Sequence, residues 1–169
     1  MMTDFQKYIQ RYLDLIPSDE WLLEMQRIGD KTIELYQTLS EEEGQFAYTE
    51  GKWSLKVLLE HLTDTETIFQ YRALRFSRGD ASALLGFDEE FYAQNGIAQD
   101  LSLEQLIQSF AVTREKSLVF FEGLKEKQLM KLGIANGNEI NVKTIGQLIV
   151  GHNIHHLNII EERYLPLIK

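Results

Sequence analysis

Residues 54–79 read SLKVLLEHLTDTETIFQYRALRFSRG, and they carry most of what the chain says about its architecture. Ser54 is a helix-capping residue whose hydroxyl can accept from an orphan N–H of the first turn. Behind it Val57, Leu58, His61, Leu62, Thr65, Ile68 and Arg72 recur at helical spacing and share one broad face. Gly79 can take the left-handed conformation that ends a helix near Arg78. The spacing therefore predicts one long helix with an inward histidine about two turns from its start.

Working outward, the same period recurs on both sides. Phe5, Tyr8, Ile9, Tyr12 and Ile16 form a short amphipathic stripe closed by Pro17, and Leu22, Met25, Thr32, Tyr36 and Leu39 form a longer one. Ser102 and Gln105 make an S-x-x-Q capping box ahead of Leu103, Leu106, Ile107, Phe110 and Phe121. A last helix runs from Lys143 or Thr144 to Tyr164, stops before Pro166, and has Ile145, Leu148, Ile149 and Ile159 on its apolar side. Four long amphipathic helices plus a short N-terminal one predict an all-α four-helix bundle of long antiparallel helices. Between the last two, LGIANGNEINV places an Asn136-Gly137 turn between β-formers, the signature of a small hairpin.

Composition bounds the function. A length of 169 residues with 44% hydrophobic content fits one domain over 1–169. A formal charge of −9 disfavours nucleic acid or an anionic membrane surface as partner, since phosphate would be repelled. With no cysteine, disulfides, thiolate ligands and a cysteine nucleophile are excluded, so a metal would have to use nitrogen or oxygen. The start MMTDFQKYIQ has no signal-peptide character and no apolar run reaches membrane-span length, which points to the cytoplasm.

Three of the four histidines lie in GHNIHHLNII, residues 151–160. At about 100° per residue, His152 and His156 project within roughly 40° of each other, toward the core, whereas His155 turns about 80° or more away, toward its edge or water. If the helices bearing His61 and His152 begin at the same end of the bundle, the three imidazoles sit at one depth and converge. A lone inward histidine is more often a hydrogen-bonded core residue; a third at matching depth shifts the balance toward a metal site.

The segments GKWSLKVLLEHLTDTETIFQYRALRFSRGD (51–80) and TIGQLIVGHNIHHLNIIEE (144–162) resemble the DinB-like superfamily, also known as DinB/YfiT-like metalloenzymes. That resemblance implies a four-helix bundle with a three-histidine metal site, one ligand from the second helix and two from the fourth. These carry over to His61, His152 and His156; His155 falls outside the H-x-x-x-H spacing. It further implies a metal-dependent enzyme, a thiol-dependent S-transferase or a hydrolase, with a small-molecule substrate that includes a low-molecular-weight thiol in the first case, and a homodimer. Trp21, Tyr36 and Phe76 add to the dimer expectation as large rings for one small core to hide. The alternative class is a non-catalytic, stress-associated interaction bundle with a structural metal or none.

Three neutral ligands leave coordination positions open and leave the ion its full charge, so it can lower the pKa of a bound water to about 7 or ionise a bound thiol. Zinc and nickel both suit imidazole. Asp64, adjacent to the His61 face, is the candidate partner for a ring N–H, while Glu66 points outward into solvent. Arg72 is expected to pair with a carboxylate in the bundle. Arg78-Gly79-Asp80 reads as a helix end rather than an adhesion motif; residues 86–96, GFDEEFYAQNG, are long enough to cover a pocket mouth but read first as a solvated surface loop held by its aromatics.

Overall fold

A computed structural model describes residues 3–168. The chain forms α1 (Asp4–Leu13), α2 (Trp21–Gln37), the single turn α3 (Glu41–Gly44), α4 (Leu55–Ser77), α5 (Glu89–Asn95), α6 (Leu103–Glu122) and the single turn α7 (Glu126–Leu129). A hairpin of β1 (Leu132–Ala135) and β2 (Asn138–Asn141) follows, then α8 (Val142–Ile159), a π-helical turn over Ile160–Tyr164, and α9 (Leu165–Ile168).

The capping chemistry acts where the sequence puts it. Ser54 accepts from Val57 N–H, and Ser102 and Gln105 close their reciprocal box. Gly79 sits at φ 84° and Asn136 and Gly137 at φ 50° and 73°, the two-residue turn of the hairpin. Two ends differ from expectation. The first helix stops at Leu13, because Pro17 disfavours helical backbone just before it, and Leu15 and Ile16 form turns instead. The last helix starts at Val142, capped by the Asn141 side chain.

The four long helices are α2, α4, α6 and α8. Helix α4 packs on α6 and α8, and α2 packs on the same two, so α2 lies diagonally opposite α4, and α6 opposite α8. The hydrogen bonds Tyr36 Oη to Leu55 O and Tyr164 Oη to Trp53 O bring the ends of α2 and of the α8 segment to the start of α4. Thus α8 runs antiparallel to α4; the two do not begin at the same end. Helices α4 and α6 run parallel, not antiparallel as expected: Glu41 accepts from Lys56 at the start of α4 and from Leu103 N–H at the start of α6. Parallel neighbours need a crossover, and residues 78–102 make it along the outside of the bundle. Leu84 bridges to Ala135 at one end, and Ile97 N–H donates to Glu60 near the other.

That crossover holds α5, packed against α4, where a solvated loop was expected. Asp88 caps it by accepting from Phe91 N–H. Trp21, Tyr36 and Phe76 are all buried within the one chain, so they expose no surplus that a partner must cover. Among the described residues no helix is long and apolar enough to cross a membrane.

Candidate metal centre

Trp53 and Tyr164 share a hydrogen bond of 2.8 Å at one end of the α4–α8 pair. Eight residues inward from that bond stand His61 on α4 and His156 on α8. The histidines meet at one depth because the helices are antiparallel and the pair lies toward the end of α8, not its start. His61 Nε2 and His156 Nε2 each lie 3.1 Å from His152 Nε2, and the three nitrogens fall within 4.8 Å of one another.

Rings rather than hydrogen bonds hold this cluster in place. Trp53 packs on His61 at 4.8 Å between centroids, and His152 is flanked by Tyr12 at 5.9 Å and Phe69 at 6.5 Å. Tyr12 reaches His152 because α1 lies directly on Gly151, where any Cβ would come within 2.2 Å of the Tyr12 carbonyl oxygen. His155 is half-buried against Tyr12 and His156 and stays outside the converging set.

Burial makes all three imidazoles hard to charge. It pushes His61 down to about 4 and, helped by His61 and His155, His156 down to about 3. His152 is held well below its ordinary value by burial first, then by its three histidine neighbours. Three neutral rings thus turn Nε2 toward one point. A hydrogen-bonded cluster alone satisfies them poorly, since a neutral His152 Nε2 has one lone pair at most for two neighbours. Nitrogens about 2.0–2.1 Å from one tetrahedral ion would stand about 3.3 Å apart, close to the observed 3.1 Å. The donor set fits a divalent cation.

Asp64 makes no hydrogen bond to any of these rings. It is half-exposed, and burial with nearby Glu60 pushes its carboxyl up to about 6. His156 Nδ1 is buried without a hydrogen-bond partner among the described residues. A cavity of about 240 Å³ opens on His156 and is walled by Tyr48, Lys52, Trp53, Glu90 and Arg163. Glu90 comes from α5, so the crossover supplies part of the approach.

Glu66 corrects the outward assignment: it is 3% exposed and takes a forked pair of bonds from Arg114, Nε to Oε1 and Nη2 to Oε2, both at 2.9 Å. Arg114 also donates to the Met25 carbonyl and to Asn153 Oδ1, and Asn153 Nδ2 reaches Thr32. All four long helices meet in this knot, beside His152. Helix α4 has neighbours on nearly every side, which a single-stripe reading could not reveal. Arg72 also differs from expectation: among the described residues it pairs with no carboxylate, and it donates to the Leu85 carbonyl, between the rings of Phe69 and Phe87.

The fold and this cluster define a helical bundle with a buried tri-histidine centre. The sequence model of the DinB superfamily matches residues 24–160, and the chain belongs to that superfamily. A relative from Oceanobacillus iheyensis, named "Putative metal-dependent hydrolase", is 28% identical over 142 residues, covering 82% of this chain and 80% of its own. YfiT from Bacillus subtilis, described as a probable metal-dependent hydrolase with an unusual four-helix bundle topology, matches with a TM-score of 0.77. That match covers 96% of this chain and 87% of YfiT at 15% identity, a likeness of fold.

Proposed function

We propose that this protein is a metal-dependent hydrolase of small-molecule esters or amides, with His61, His152 and His156 holding one divalent cation, zinc or nickel. The observation that carries the reading is the convergence of three neutral, largely buried imidazoles, with His61 Nε2 and His156 Nε2 each 3.1 Å from His152 Nε2. When bound, such an ion lowers the pKa of a coordinated water toward 7.

The chain's own contribution is to keep the imidazoles unprotonated, to fix them by ring packing, and to leave one open side. That side is the cavity at His156, where Lys52, Arg163 and Glu90 can orient a polar substrate and Glu90 can accept a proton. Both named relatives favour hydrolysis over the thiol transfer that the superfamily resemblance also admits.

Metal content of the protein purified without a histidine tag tests the ligand set. Alanine at His61, His152 or His156 should strip most of the metal and His155→Ala should not; equal loss from all four removes the assignment. Ester or amide hydrolysis should then proceed without added thiol, with a rate that rises as pH passes about 7. Turnover that needs a thiol, with an intense near-ultraviolet charge-transfer band when thiol meets the cobalt-substituted protein, would replace hydrolysis by thiol transfer.

A further inference from the structure

Arg72 is buried like a core residue, at 9% exposure, yet among the described residues a single N–H of its guanidinium has a protein acceptor: Nη2 donates to the Leu85 carbonyl at 2.9 Å. No carboxylate lies within ion-pair distance of it among the described residues. That is unusual in a chain with 26 acidic and 17 basic side chains. The rings of Phe69 and Phe87 lie 5.7 Å and 6.0 Å from its Cζ, which favours the cation and leaves donors without protein partners.

Arg72 lines a cavity of about 130 Å³ whose other walls include Ile9, Phe87, Ile140, Ile145 and Leu148. That is slightly less than the roughly 150 Å³ that encloses a benzene ring, and the cavity is open on one side rather than closed. Glu89 is the acid on its wall, but it forms no ion pair with Arg72 and its carboxyl is raised by burial and by Asp88. Leu148 and Ile145 lie one and two turns before His152 on α8, about 6 Å and 10 Å along the helix. Phe69 touches both places: it lines the cavity, and its ring is 6.5 Å from that of His152.

We propose that this cavity binds the carboxylate end of a small apolar acid, with the Arg72 guanidinium taking the carboxylate and the aromatic and aliphatic walls taking a short-alkyl or benzene-sized body. This cavity lies on the Phe69 side of His152 and, among the described residues, shares no wall with the cavity that opens on His156, so the acid binds beside the metal centre, independently of the bond that the hydrolase reading has cleaved. An uncharged ligand of the same shape would leave the buried guanidinium without its counter-charge.

Calorimetric titration of the full chain with benzoate and with benzamide, its neutral analogue, tests this, both metal-loaded and after chelation. Benzoate should bind at least about tenfold more tightly than benzamide in both states. Arg72→Met should erase that preference, and Leu148→Phe, which fills the cavity without removing the guanidinium, should weaken both ligands. Equal affinities in the unaltered protein, no binding of either, a preference that survives Arg72→Met, or benzoate binding that vanishes on chelation each overturns the proposal. None of these readouts needs turnover. A chain that binds benzoate through Arg72 but hydrolyses nothing keeps the cavity and loses the hydrolase reading; a hydrolase that does not bind benzoate does the reverse.

Discussion

Arg72 and Arg114 are both buried cations on long helices, and they have opposite surroundings. Arg114 is 4% exposed, and its donors meet a carboxylate, a backbone carbonyl and an amide oxygen drawn from the three other long helices. Arg72 meets one carbonyl and two ring faces. The Arg114 side of the bundle balances its charge internally and is inert. The Arg72 side, with the histidine nitrogens and Asp64, leaves polar groups unpaired by protein, which a folded chain tolerates where a ligand completes them.

The sharpest way to break this contrast is to remove one partner from the balanced side. Glu66→Ala leaves Arg114 a buried, uncompensated charge and should cost about 3–5 kcal/mol, lowering the melting temperature by on the order of 10 °C in calorimetry. The double change Glu66→Leu with Arg114→Met should cost clearly less than Glu66→Ala. If it costs as much, the knot is not a balanced pair.

Gly29 comes next in size. A Cβ there would lie 2.8 Å from Arg114 Nη1 and 2.9 Å from its Cγ, and Arg114 is tied at its far end and cannot swing aside. Gly29→Ala should destabilise by about 1–3 kcal/mol in urea unfolding despite its better helix propensity. A neutral or stabilising result would show that the knot has slack.

On the open side the same operations should matter little for stability. Arg72→Met should change unfolding free energy by less than about 1 kcal/mol while its effect appears in ligand binding. A loss as large as that of Glu66→Ala would make Arg72 a structural residue and erase the contrast.

The smallest effect concerns Asp64. Its folded carboxyl titrates at about 6 against an ordinary 3.8, so the folded state holds the proton more tightly than the unfolded chain. Stability from this group is full below about pH 3.8 and is lost as pH rises through 6. Asp64→Asn should therefore be more stable than the parent at pH 7.5, by less than about 1 kcal/mol given its partial exposure, with the gap closing near pH 4. Thermal melts across that range would show it, and a gap that widens toward acid would contradict it.

The sequence announced the helices because caps and periodicity are local. Ser54, Ser102, Gly79 and Asn136-Gly137 each act through bonds within a few residues, and all four behave as read. Periodicity names a face but not the neighbour, so the direction of α8 was out of reach. The histidines converge through the antiparallel arrangement rather than the one supposed. The knot was hidden for a related reason: Glu66 looked outward only on the premise that α4 has an outside. Helix α5, seven residues with an acidic cap and no apolar period, offers too short a pattern to distinguish from a loop.

The histidine centre also has a history during folding. His61 and His152 are 91 residues apart, while His152 and His156 are four apart on one helix. A nascent chain can offer an ion the local pair as soon as α8 coils. The third nitrogen arrives only when α8 docks against α4, after the crossover, α6 and the hairpin have been laid down between them. On the proposed ligand set, metal uptake through all three rings would mark the closing event of assembly and, by favouring the native state, would pull that event forward by mass action. In refolding from urea with cobalt present, far-ultraviolet helicity should return first and the spectrum of the fully ligated ion last.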